Sequence, residues 1–263
     1  MHTGFNQQRT ADREQRTKDR GQRKRQKTDD TVLTVATAHA LMEDVDYAAA
    51  YREFGRRYPA AGYGGTFVSW LMSDDAPPYH SWGNGSAMRV SPIGFAFDSV
   101  DTVLQEAKRS AEMTHNHPEG IKGAQATALS ILLARTTKDK AIVRKEVTER
   151  FGYDLRLTVD EIRPAYHFDI SCQGTVPQAI VAFLDSDSYE DTIRNAVSLG
   201  GDSDTLACIA GGIAQAYYGG VPAEILEKVK AVLPVDLWGI ADRFHRLYGF
   251  SREGIKRYKG RPI

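Results

Sequence analysis

Apolar residues recur every three or four positions along most of this chain, and over no long window do they alternate strictly with polar ones. That spacing is the period of a helix rather than a strand. From Thr28 onward, Val32, Val35, Ala36, His39 and Ala40 trace one such stripe. Residues 47–58 predict a second helix, stopped by Pro59, and residues 67–72 begin a third. Residues 86–94, 100–113 and 120–136 read better as helix than as strand, with clear stripes at Val100, Val103, Leu104, Ala107 and Ala111 and at Ala124, Thr127, Ala128, Ile131 and Leu132. The charged stretch 138–150 predicts an exposed helix. Residues 178–184 fit helix or strand equally by pattern. Residues 190–198, 204–218, 222–233 and 236–247 complete an all-α reading. Glycine and proline punctuate loops at 60–66 and 73–85, and residues 152–175 are the least regular part.

Composition changes the picture at one end. Residues 1–27 contain no Val, Ile or Leu and carry nine Lys/Arg against three Asp/Glu, a net charge of +6. The whole chain has a formal net charge of zero, so the remainder carries −6. A segment that polar cannot bury enough apolar area to offset its ordering entropy, so 1–27 is expected to be a basic, disordered arm. Residues 28–263 are expected to form a single all-α domain. The arm holds Phe5 as its sole aromatic residue, which argues for a solvated tail over a nucleic-acid binder. No apolar run is long enough to cross a membrane, and 1–27 has no apolar signal-peptide core. The two cysteines, Cys172 and Cys208, make neither a metal motif nor a dense disulfide framework. A reducing cytoplasm is the expected location.

Chemistry concentrates in four short blocks. Thr28-Asp29-Asp30-Thr31 and Gly200-Gly201-Asp202-Ser203-Asp204-Thr205 each place two carboxylates and a hydroxyl at a helix start. Helix capping alone accounts for such a pattern, since hydroxyls and acids satisfy the free N–H groups and the dipole there. Facing each other, the same two clusters would offer hard oxygen ligands to one or two divalent cations. The double glycine favours close backbone approach, which a cap does not need. Gly83-Asn84-Gly85-Ser86 is either a turn with a cap or a cradle for a phosphate or ribose. Thr114-His115-Asn116-His117-Pro118-Glu119-Gly120 is a polar loop whose Pro118 opens the next helix. Its imidazoles lack the third nitrogen or sulfur ligand that zinc would want.

Together and in this order, these blocks resemble the ADP-ribosylglycohydrolase family. Val176-Pro177-Gln178-Ala179 and Ala210-Gly211-Gly212-Ile213-Ala214 add to the likeness, which runs from about Lys27 to Phe250. The resemblance implies a compact orthogonal all-α bundle with a metal-binding cleft and two Mg²⁺ or Mn²⁺ ions. It implies that Thr28, Asp29, Asp30, Asp202, Asp204 and Thr205 are metal ligands, with Asp29 and Asp30 also catalytic. It places Asn84, Gly85 and Ser86 at the diphosphate and distal ribose. His115, His117, Glu119 and Gly120 would shape the ligand pocket, and Gly64 and Gly65 would line the same cleft. The implied activity is hydrolysis of the glycosidic bond between ADP-ribose and a protein side chain or small acceptor. The alternative is a catalytically impaired member that binds ADP-ribose or serves as a scaffold; a two-metal phosphoesterase fits the carboxylates less well. Ser203 stands where the family usually has Thr and keeps the hydroxyl. The family's first helix, apolar and carrying a Gly-Asp pair, has no match in 1–27, and a shifted reading frame just before Lys27 is the expected cause.

Overall fold

The computed structural model describes residues 28–249; the expectations for 1–27 and for the last residues of the domain lie outside them. Among the described residues the protein is all-α, with fourteen helices and no strand. They are α1 (Asp29–Glu43), α2 (Tyr47–Arg57), α3 (Gly65–Leu71), α4 (Gly85–Met88), α5 (Ser91–Ala96), α6 (Val100–Glu112) and α7 (Pro118–Thr137). Then follow α8 (Lys140–Phe151), α9 (Val159–Ile162), α10 (Cys172–Leu184), α11 (Tyr189–Ser198), α12 (Ser203–Tyr218), α13 (Ala223–Val232) and α14 (Val235–Tyr248). None of them is long and apolar enough to cross a membrane.

The core is organised around α7. Thirteen of its 20 residues are buried, so it is apolar on every side and packs against neighbours all round. It touches α4, α5, α6, α8, α10 and α12. Small residues set the closest approaches. A Cβ on Gly94 of α5 would lie 2.6 Å from the Ile131 side chain and 2.7 Å from the Ala128 carbonyl. A Cβ on Gly123 would lie 2.4 Å from Cys172 Sγ on α10.

Three local outcomes differ from the sequence pattern. Residues 86–94 do not form one helix but divide into α4 and α5, with Arg89 and Val90 between them. Pro92 is the reason: it has no N–H to bond the Met88 carbonyl. That carbonyl instead accepts from the Thr34 hydroxyl of α1 at 3.1 Å and from Cys208 Sγ of α12 at 3.3 Å. The break thus joins three elements beneath the cleft. The ambiguous segment 178–184 is helical, and α10 begins earlier, at Cys172, where the Ser171 side chain caps it. The irregular region 152–175 contains the one-turn helix α9, opened by a reciprocal Thr158–Glu161 capping box.

Candidate active site

A cleft of about 630 Å³ opens where the N-termini of α1 and α12 converge. Asp29 and Asp30 enter it from α1, and Asp202, Asp204 and Thr205 from the start of α12. Capping by the N-cap side chains does not account for this arrangement. Thr28 is the N-cap of α1, yet its side chain makes no cap hydrogen bond. Asp202 is the N-cap of α12, and it makes none either. The hydroxyls of Thr28 and Thr205 lie beside the Asp30 carboxyl instead. Gly200 and Gly201, both at positive φ (76° and 61°), carry the chain into α12 through a backbone that side chains rarely adopt. A Cβ on Gly201 would also press to 2.9 Å from the Tyr166 ring.

The carboxylates are crowded and short of compensation. Burial, with repulsion from Asp204 and Asp202, pushes Asp29 up to about 6. Burial and the charges of Asp29 and Asp204 push Asp30 up to about 7. Asp202 is also raised, chiefly by burial and by its neighbour Asp204. Asp30 is 4 % exposed, and its Oδ1 is buried without a hydrogen-bond partner. Among the described residues no three His, Cys, Asp or Glu side chains are arranged to enclose an ion by themselves. The donor chemistry nevertheless fits a hard divalent cation: four carboxylates, two hydroxyls, no nearby cationic partner for Asp30, and one orphaned buried oxygen.

The Gly83–Gly85 loop forms the opposite wall. It is pinned to the segment before α10 by an antiparallel bridge between Gly83 and Ser171, with Asn84 N–H donating to the Ile170 carbonyl (2.8 Å) and Cys172 N–H to the Trp82 carbonyl (2.9 Å). Asn84 is buried, and its amide donates to Asp202 Oδ2 at 2.7 Å and to Thr175 Oγ1 at 3.0 Å. It therefore braces a carboxylate. Gly85 lines the cleft and leaves room for His115, whose ring a Cβ there would meet at 3.1 Å. Gly64 and Gly65 line the cleft from the start of α3.

The remaining expected residues lie behind this surface. Ser86 is fully buried and donates to the Gly120 carbonyl at 2.7 Å. Gly120 is buried, with space for no Cβ: the Ser81 carbonyl would sit 2.6 Å away. His117 caps α7, accepting from Glu119 N–H, and its ring packs edge-on against His80 and Trp82. Glu119 pairs with Lys122 at 3.4 Å. Of the Thr114–Gly120 block, His115 alone lines the cleft. Sequence reasoning missed Tyr79, His80, Ser81, Trp82, Phe168 and Ile170, which line it from loops. Trp82, Phe168 and Ile170 are 55 %, 66 % and 59 % exposed, a rim of apolar surface at the mouth. A tryptophan directly before Gly-Asn-Gly was the one available signal; Phe168 and Ile170 sit in a stretch without periodicity.

The sequence profile of the ADP-ribosylglycohydrolase family matches residues 2–253. The chain belongs to that family. Among curated relatives, the human ADP-ribosylhydrolase ARH3 is 28 % identical over 84 % of this chain and 78 % of its own length. The ADP-ribosylarginine hydrolase Tri1 of Pseudomonas putida is 30 % identical over 56 % of this chain and 42 % of its own. A solved structure titled as an ADP-ribosylglycohydrolase-related protein complex superposes with a TM-score of 0.64 at 24 % identity, covering 83 % of this chain and 81 % of that one. That likeness agrees with the all-α fold.

Proposed function

We propose that this ADP-ribosylglycohydrolase-family protein is a hydrolase that cleaves the glycosidic bond between ADP-ribose and a protein side chain or a small acceptor, using Mg²⁺ or Mn²⁺ in the cleft. Family membership and the names of its relatives support hydrolysis of an ADP-ribose linkage. The observation that carries the assignment to this cleft is the pair of acidic helix N-termini that face one another across it, where neither N-cap side chain makes a cap hydrogen bond.

Thr28, Asp29, Asp30, Asp202, Asp204 and Thr205 would hold the ions. A divalent cation held there would supply Lewis acidity toward water and a fixed point of attachment for the sugar hydroxyls. The chain supplies the rest. Asp29, half-buried at the cleft wall, would accept a proton from the attacking water. Asp30 holds the negative charge that offsets the positive charge developing on the ribose ring as the glycosidic bond breaks. Asn84 keeps Asp202 in a fixed rotamer. Trp82 and Phe168 offer flat apolar faces to the adenosine end of the ligand. Gly64, Gly65 and Gly85 allow the diphosphate and ribose to approach the backbone closely.

The test is calorimetric titration of ADP-ribose with Mg²⁺ into the protein and into an Asp202→Ala/Asp204→Ala double variant, followed by turnover assays on ADP-ribosylated arginine and serine peptides. Metal-dependent binding that disappears in the variant, with release of ADP-ribose from one peptide, is expected. Binding without turnover would replace hydrolysis with a binding role, and no binding to a folded protein would overturn both.

A further inference from the structure

Beneath the Gly83–Gly85 loop lies a polar chain that the proposed reaction does not use. Arg89, fully buried between α4 and α5 at the floor of the cleft, has no carboxylate partner among the described residues. Its Nη2 donates to the Ser110 carbonyl and to Thr114 Oγ1, each at 2.9 Å. Its guanidinium stacks over the Tyr51 ring at 4.1 Å, and its Nε and Nη1 have no hydrogen-bond partner. Thr114 Oγ1, also fully buried, lies 2.7 Å from His115 Nδ1. The other edge of the His115 ring faces the Gly83–Gly85 loop, with Nε2 placed 3.1 Å from where a Gly85 Cβ would stand.

We infer that Arg89 and Thr114 are positioning residues that fix His115 as the neutral Nε2–H tautomer, so that it presents a hydrogen-bond donor to an anionic or carbonyl-type oxygen of the ligand at the Gly83–Gly85 loop. The proton count decides the tautomer. A threonine hydroxyl has two lone pairs and one proton. Arg89 donates to one lone pair, since a guanidinium has no acceptor. Of the two groups hydrogen-bonded to that oxygen, Arg89 cannot take its proton and His115 Nδ1, 2.7 Å away, can. The threonine proton is left for His115 Nδ1, which must then be the bare nitrogen. The ring proton therefore sits on Nε2, towards the cleft. A cationic donor on Thr114 also polarises its hydroxyl and strengthens the bond to Nδ1. The unpaired guanidinium works in the same direction by opposing a second positive charge on the ring: burial first, then Arg89, holds His115 well below the usual imidazole range. Gly85 is glycine here because a side chain would close the space in front of that donor.

The inference about ligand contact rests on the reading that ADP-ribose binds this cleft; the tautomer does not, and the experiment separates the two. Long-range ¹H–¹⁵N correlation spectra of the whole protein are recorded at pH 6 and 7.5 for the wild type, Thr114→Val, Thr114→Ser and Arg89→Lys, with ADP-ribose titrations beside them. The wild type is expected to show a bare Nδ1 and a protonated Nε2 at both pH values. Thr114→Val, nearly isosteric, should mix the two tautomers and weaken ADP-ribose by about tenfold, the scale of one lost buried hydrogen bond. Thr114→Ser should restore both readouts. Arg89→Lys keeps the charge and the fold while shortening the fork, and should shift the tautomer ratio in the same sense as Thr114→Val. An Nδ1–H or doubly protonated His115 in the wild type, or an unchanged tautomer in Thr114→Val, would overturn the relay. Failure of ADP-ribose to bind the wild type, with the spectrum as expected, would instead overturn the reading of the cleft.

Discussion

At the scale of single residues, the division of labour in the Gly83-Asn84-Gly85-Ser86 block follows from burial. From sequence, Asn84, Gly85 and Ser86 read as ligand contacts. In the fold, Asn84 lines the cleft but gives its amide N–H groups to Asp202 and Thr175, and Ser86 is enclosed with its hydroxyl on the Gly120 carbonyl. Sequence shows which groups can donate; it does not show which are already satisfied. The consequence for Asn84 is measurable. Groups that hold a metal-binding carboxylate from behind typically contribute 10- to 100-fold in metal affinity. Asn84→Ala should therefore weaken Mg²⁺ by about that factor in calorimetric titration, with ADP-ribose binding falling in parallel. Mg²⁺ affinity equal to that of the wild type would mean that Asp202 needs no brace.

At the scale of elements, the positions of the longer helices were largely legible because most of them carry a 3.6-residue stripe. What was not legible came from interactions the stripe does not encode. The split between α4 and α5 depends on a Met88 carbonyl that Pro92 cannot bond and that Thr34 and Cys208 can, and those residues lie 54 and 120 positions away. The start of α10 was hidden by its small and polar first turn and by Pro177 within the helix. The α9 capping box, in contrast, was readable from Thr158 and Glu161 alone. Helix spacing also explains which glycines matter. Gly94 lets α5 sit directly on α7, where a Cβ would meet both Ile131 and the Ala128 backbone. Gly64, at the start of α3, has open space around it and an ordinary φ of −61°. Gly94→Ala should lower unfolding stability by about 1–3 kcal/mol, as overpacking against an immobile backbone does. Gly64→Ala should stay within about 0.5 kcal/mol of the wild type. Denaturant titration of both variants checks the pair; equal effects would mean that α5 can shift away from α7 without loss.

At the scale of the whole molecule, folding brings two acidic helix N-termini together from positions about 170 residues apart in the chain, without a protein cation beside Asp30 to neutralise them. The fold therefore imposes a burial and a repulsion that the unfolded chain lacks; burial first, and then the neighbouring charges, is why Asp29 and Asp30 hold protons up to about 6 and 7. Anything that supplies positive charge at that point binds the folded state in preference to the unfolded one. At a hundred times its dissociation constant, such an ion adds about 2.7 kcal/mol of stability, or roughly 5–10 °C in Tm for a domain of this size. Mg²⁺ should produce that rise, and NaCl at equal ionic strength should not. Asp30→Asn gives the opposing half of the argument. Removing one buried charge relieves the repulsion before any ion arrives, so the metal-free variant should melt above the metal-free wild type, and Mg²⁺ should add far less to it. The two melting curves are then expected to cross as Mg²⁺ rises from zero to millimolar. Parallel curves would show that the carboxylates are screened by solvent in the folded protein, and that the convergence of α1 and α12 is tolerated without an ion.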